Sequence, residues 1–147
     1  MTDHHPNRPF SSAAAIRRVG AGLLDCSLPK TAWTHEAHLA ACTWLLLERP
    51  DIVPEHDLPG IIRAYNVTVG VVNDEMHGYH ETLTQLYIRA VRSFIVNGPG
   101  GGLLETVNAL LASDLGRRDW PLTRYSPARL FSAAARRVWT EPDLAAI

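Results

Sequence analysis

The chain has little that would staple, anchor or strongly charge it. Only two cysteines, Cys26 and Cys42, occur in 147 residues. They stand far apart and form no CxxC pair, so neither a disulfide framework nor a cysteine-built zinc site is indicated. Both lie on apolar faces and read as buried free thiols of a reducing compartment. The formal net charge is −1, so nucleic acid and anionic membrane find no electrostatic footprint here. The longest apolar run, "LAACTWLLL" at 39–47, is well short of the roughly 20 residues that a bilayer-spanning helix requires. The opening "MTDHHPNRPF" lacks the basic segment and long apolar core of a secretory signal. A cytoplasmic location is therefore the expectation. There is no GxSxG, no CxxCH haem attachment and no dinucleotide fingerprint. "NGPGGGLLE" is glycine-rich, but no strand precedes it and no GK[ST] follows, so it reads as a helix end and connector rather than a phosphate loop.

What is present suits one compact domain. The composition, 46% hydrophobic and 20% charged, is ordinary for a globular protein with its own core. Residues 1–10 read as a flexible N-terminus and residues 11–147 as a single helical domain. A serine cap opens an Ala/Leu/Arg-rich helix at "SSAAAIRRVGAGLLDC". Thr34 is the N-cap of a second helix reaching Glu48, which stops before Pro50. The third segment, "LPGIIRAYNVTVGVV", has two readings. Its β-branched run at 65–72 suits a strand, whereas Asp57 before an early proline suits a helix ending near Gly70, the reading we favour. A fourth helix spans about Tyr79 to Val96, and "LLETVNALLAS" supplies a fifth. Ser126 and Pro127 open a last helix through "ARLFSAAARRVW". The expected fold class is all-α, a compact bundle of about five or six helices.

Two stretches carry the chemistry. "WTHEAHL" at 33–39 and "EMHGYHETLT" at 75–84 each contain His-x-x-His just ahead of an apolar-periodic run. With seven histidines in the chain, independent placement predicts about a third of one such pair. Residues three, four and seven apart share a helix face. His35 and His38 therefore align with Leu39, Cys42 and Leu46, and His77, His80, Glu81 and Thr84 align with Ile88, Val91 and Ile95. Both apolar stripes begin with polar residues, which are costly to bury without partners. If the third helix packs antiparallel between the other two, both His-bearing ends lie at one end of the bundle.

The expected site is therefore a divalent transition metal, Zn, Fe, Mn, Ni or Cu, held by His38 and His80 with help from His35 and His77. Glu81 and Glu36 are the candidate proton-transfer residues. Neither stretch has metalloprotease spacing: "HEAH" is one residue short of HExxH, and "HGYHE" is not HxxEH. Gly78 also weakens a helical placement of His77, because glycine is poor inside helices. Arg124, Tyr125 and Arg129, with Trp120, are candidates for binding a substrate carboxylate. Tyr65, Asn66 and Asn73 lie between the His stretches and are candidate hydrogen-bonding groups. The expected activity is metal-dependent chemistry on a small anionic molecule, as a hydrolase, lyase or oxygenase. Two alternatives stand beside it, a metal-free small-molecule-binding module and a helical homodimer in which the histidines are incidental.

Overall fold

A computed structural model describes residues 7–147. All regular structure among these residues is helical. α1 (Ala13–Leu24), α2 (His35–Glu48), α3 (Pro54–Thr68), α4 (Glu81–Asn97) and α5 (Leu103–Ala112) form the bundle, and two short helices follow, α6 (Pro127–Leu130) and α7 (Ala133–Arg137). No helix among the described residues is long and apolar enough to cross a membrane.

The helix starts follow local chemistry. Ser12 accepts from the Ala15 N–H at 3.1 Å, and Thr34 accepts from the Ala37 N–H at 3.2 Å. Each side-chain oxygen thus satisfies one of the first-turn amides that has no partner within its helix. α3 carries the helix through Thr68 and residues 69–72 follow as turn and loop, so the strand reading of 65–72 does not hold. It begins at Pro54, earlier than the sequence suggested, where proline's fixed φ suits a first helical turn. It ends at Thr68 with Val69 as its C-cap, and Gly70, at a φ of +81°, turns the chain away from the helix just beyond.

The final helix was expected to be continuous and is not. Ser132 is extended, and its hydroxyl accepts from the Ala135 N–H at 3.1 Å, starting α7 afresh. A serine offers its neighbours an alternative to the helical ladder, and here that alternative wins. The N-terminal expectation also divides. Residues 1–6 lie outside the described residues, whereas residues 7–10 are docked on the bundle. The Asn7 amide donates to the carbonyls of Leu111 (3.0 Å) and Gly116 (2.6 Å). Phe10 and Asn108 exchange two hydrogen bonds, at 2.9 and 3.0 Å.

α2 is the central element. Ala37, Leu39, Ala40, Ala41, Cys42, Trp44 and Leu45 are all buried, on every side of the helix, as expected of a helix with no polar face. Helices α1, α3, α4 and α5 all pack on it. The main core joins Ile16, Leu39, Tyr65, Val91 and Leu110. A smaller core, of Leu86, Trp120, Tyr125 and Leu130, lies on another face of α4. Buried polar side chains tie the layers together. The Tyr65 hydroxyl donates to the Leu28 carbonyl at 2.9 Å, the Gln85 amide to the Glu55 carbonyl at 2.9 Å, and the Thr82 hydroxyl to the Ala135 carbonyl at 2.6 Å.

α1 approaches α2 closely because Gly20 has no side chain. A β-carbon there would come within 2.1 Å of Trp44 Cε3. Alanine normally stabilises a helix interior by about 0.5–1 kcal/mol over glycine, and at Gly60 in α3, where an added β-carbon would meet no atom of another part of the fold within 4 Å, nothing opposes that gain. Gly60→Ala is therefore expected to raise stability by about 0.5–1 kcal/mol. Gly20→Ala should lower it by about 1–3 kcal/mol through overpacking. Urea denaturation of the two variants tests both signs.

Candidate functional site

One cavity of about 520 Å³ opens between α2, α3 and α4, a size within the roughly 300–1,000 Å³ usual for small-molecule sites. α2 contributes His35, His38, Leu39 and Cys42, α3 contributes Leu58, Ile62 and Asn66, and α4 contributes Leu83, Thr84, Tyr87 and Ile88. The segment between α3 and α4 closes one side with Val71, Gly78, Tyr79 and His80, and Trp33 completes the wall just ahead of α2. The N-terminal ends of α2 and α4 thus meet at one cavity, and three of the four histidines from the two His-x-x-His stretches line it.

The fourth does not. His77 precedes α4, in the connecting loop, where its N–H and its Nδ1 both lie within hydrogen-bond distance of Asp74 Oδ1, at 2.8 and 3.0 Å. Its side chain is exposed. Gly78 explains the separation. Its φ is +78°, and a β-carbon there would lie 2.4 Å from the Val72 carbonyl oxygen. The chain therefore turns at Gly78 and enters the helix only after His80, and His77 shares no helical face with the others.

His80 caps α4. Its Nδ1 accepts from the Leu83 N–H at 3.1 Å, and its Nε2–H donates to the Leu130 carbonyl at 2.8 Å. A carbonyl only accepts and an amide only donates, so the ring is neutral with its proton on Nε2. Burial lowers its pKa in accordance with that state. Both nitrogens are committed to backbone partners, and a metal on His80 would have to break one of these bonds.

His35 donates from Nε2 to the Gly116 carbonyl at 2.8 Å, which ties the start of α2 to the turn after α5. His38 differs from both. Its Nδ1–H donates to the Thr34 carbonyl at 2.6 Å. Trp33 stacks on the ring, with centroids 3.8 Å apart and planes 28° from parallel. Nε2 keeps its lone pair and has no hydrogen-bond partner among the described residues. His38 has accessible surface and lines the cavity, while protein surrounds the ring at longer range. That surrounding burial pushes its pKa down to about 4.

The candidate carboxylates have other partners. Glu36 accepts from Arg118 at 3.1 Å. Glu81 accepts a very short hydrogen bond from the Tyr79 hydroxyl, and burial together with that bond raises the Tyr79 pKa. Arg124, Tyr125 and Arg129 stand apart from the cavity wall and serve the C-terminal segment. Arg124 donates to the Ala146 carbonyl at 3.0 Å, Tyr125 to that of Thr140 at 2.5 Å, and Arg129 to that of Glu141 at 2.6 Å. The Cys42 thiol is buried in the wall and pushed up to about 12, which makes it a neutral apolar contact. Among the described residues, no three histidine, cysteine, aspartate or glutamate side chains gather closely enough to hold a metal ion.

Sequence reasoning missed Trp33 and Tyr87. Tyr87 stands seven residues after His80 and three after Thr84, so helical spacing alone places it on the cavity face of α4. Trp33 stands one residue before the Thr34 cap, and no periodicity marks it. No family model matches the chain, and neither any curated protein nor any solved structure matches it.

Two expectations follow. A histidine held neutral in the folded state but protonated near 6.5 when unfolded makes the unfolded chain bind more protons in between. The contribution of His38 is full above about pH 6.5 and is lost as pH falls toward 4. In an NMR titration the His38 ring resonances should therefore stay fixed between about pH 7.5 and 5.5. Thermal stability should fall as pH is lowered from about 6.5 toward 4, less steeply in His38→Phe. Separately, His80→Ala removes a cap and leaves the Leu130 carbonyl unpaired, at a cost of about 2–4 kcal/mol. His80→Asn should recover about 1 kcal/mol of this by restoring the cap alone. Denaturant unfolding of the pair measures the difference.

Proposed function

We propose that this chain is a small-molecule-binding protein whose cavity takes a mainly apolar ligand without the help of a metal. The observation that carries this reading is His38, a neutral imidazole in a largely apolar wall with Nε2 unpaired among the described residues. A few convergent polar groups in a concave apolar site are the usual signature of ligand recognition.

The donor chemistry argues against the metal reading. His80 has both nitrogens in backbone bonds, His77 stands outside the cavity, and Glu36 and Glu81 are bonded to Arg118 and Tyr79. The charge of the wall argues against an anion, since no lysine or arginine lines the cavity. The low basicity of His38 argues for binding over catalysis. A general base works best with a pKa near the working pH, and one at about 4 is a weak base at neutrality.

Nile red, a neutral solvatochromic dye, tests this directly. Saturable binding of one dye per chain, with a blue shift in emission, is the expected result. Leu83→Trp, which fills the cavity from α4, should abolish it while leaving the helical circular dichroism spectrum intact. No saturable binding by the parent protein would sink the reading. Elemental analysis of protein purified without chelator decides the rival. Near-stoichiometric metal, lost in His38→Ala, would replace the proposal with a metal centre.

A further inference from the structure

We infer that the ligand is an uncharged alcohol or phenol with an apolar ring body, its hydroxyl donating a hydrogen bond to His38 Nε2. This inference rests on the reading above, that the cavity binds a small molecule.

The polar atoms that the wall leaves unpaired set the requirement. His38 Nε2 is an acceptor, because its Nδ1–H is committed to the Thr34 carbonyl and Trp33 holds the ring in place. Asn66, from α3, presents a second acceptor, and its orientation follows from a chain of bonds. The Tyr79 N–H donates to Asn73 Oδ1 at 3.0 Å, so that atom is an oxygen and the Asn66 NH₂ must face it, also at 3.0 Å. Asn66 Oδ1 is left without a partner among the described residues. Tyr87 also lines the cavity, and its hydroxyl is likewise without a hydrogen-bond partner among them. Burial and the nearby Asp119 keep it protonated, so it is available as a donor.

Two acceptors and one phenolic donor select the ligand's polar end. A carboxylate brings no proton for either acceptor and no cation in the wall to offset its burial. An ammonium brings protons but meets no free carboxylate, since Glu81 is bonded to Tyr79 and Glu36 to Arg118. A hydroxyl donates to His38 and keeps lone pairs for a donor such as Tyr87, all on one uncharged atom. The aromatic side chains of Trp33, Tyr79 and Tyr87 line the same cavity, which suits an apolar ring body.

Three probes of one shape separate the possibilities: 2-naphthol, 2-methoxynaphthalene and 2-naphthoate, each titrated against Nile red on the native protein. 2-Naphthol is expected to compete about tenfold better than its methyl ether, the usual effect of one satisfied hydrogen bond in a buried site. It should also compete better than 2-naphthoate. In His38→Phe, which keeps the aromatic stack and removes the acceptor, the advantage over the ether should vanish. If the ether matches 2-naphthol on the native protein, or 2-naphthoate binds best, this inference is overturned while the cavity reading stands. If none of the three competes and Nile red itself fails to bind, both fall together. The native-protein comparison decides even if His38→Phe does not fold.

Discussion

A helix that is apolar on every side has to be surrounded, and that requirement on α2 organises the molecule. Its buried residues run from Ala37 to Leu45 with no polar stripe to turn toward water. Four helices therefore close around it, and Gly20 permits the close approach of α1. The first turn of α2 is its one polar turn, and it places His35, half-buried, and His38, which keeps exposed surface, at the cavity wall. There each imidazole takes a backbone partner, because a polar group drawn partly from water loses free energy unless it is hydrogen-bonded. His35 finds the Gly116 carbonyl and His38 finds that of Thr34. The first bond ties α2 to the segment after α5. The second is local and leaves one nitrogen over.

The histidines at the cavity show how partner geometry assigns different chemistry to one residue type. His80 bridges a helix start and the Leu130 carbonyl, so it is a brace between α4 and the C-terminal layer. His38 makes one bond within its own helix turn and stacks on Trp33. Burial keeps both rings neutral. Neutrality has opposite consequences for them. In His80 it completes a structural hydrogen-bond pair, and in His38 it exposes a lone pair to a cavity. Asn73 has a similar organising part in the loop. It accepts from Asn66 and Tyr79 and donates to the Arg63 carbonyl at 3.2 Å, holding the cavity's closing segment against α3.

The arginine-rich C-terminal third shows why a sequence cluster need not be a site. Arg117 pairs with Asp119 at 3.1 Å, Arg118 with Glu36 at 3.1 Å and Arg137 with Glu75 at 3.4 Å. Arg136 donates to the Gly78 carbonyl at 2.9 Å. These guanidinium groups hold α7 and the preceding turns to the bundle and to the loop between α3 and α4. Apart from the local Arg117–Asp119 pair, spacing along the chain could not reveal these partners, because they lie 58 to 82 positions away.

The sequence by itself determined the helical class, a serine cap ahead of α1, the caps at Thr34 and Ser126, and the placing of two histidine stretches at helix starts. All of these follow from local preference and from a 3.6-residue period, which act over a few neighbouring positions. The same locality misled where a single residue broke the pattern. Gly78 removed His77 from the α4 face, and Ser132 divided the last helix. Only the tertiary structure decided which imidazole is committed and which keeps an unpaired nitrogen. That choice depends on carbonyls such as Leu130 and Gly116, which stand 50 and 81 positions from the rings they bind. A hydrogen bond is set by distance and direction in space, and for partners so far apart in sequence these exist only once the chain has folded.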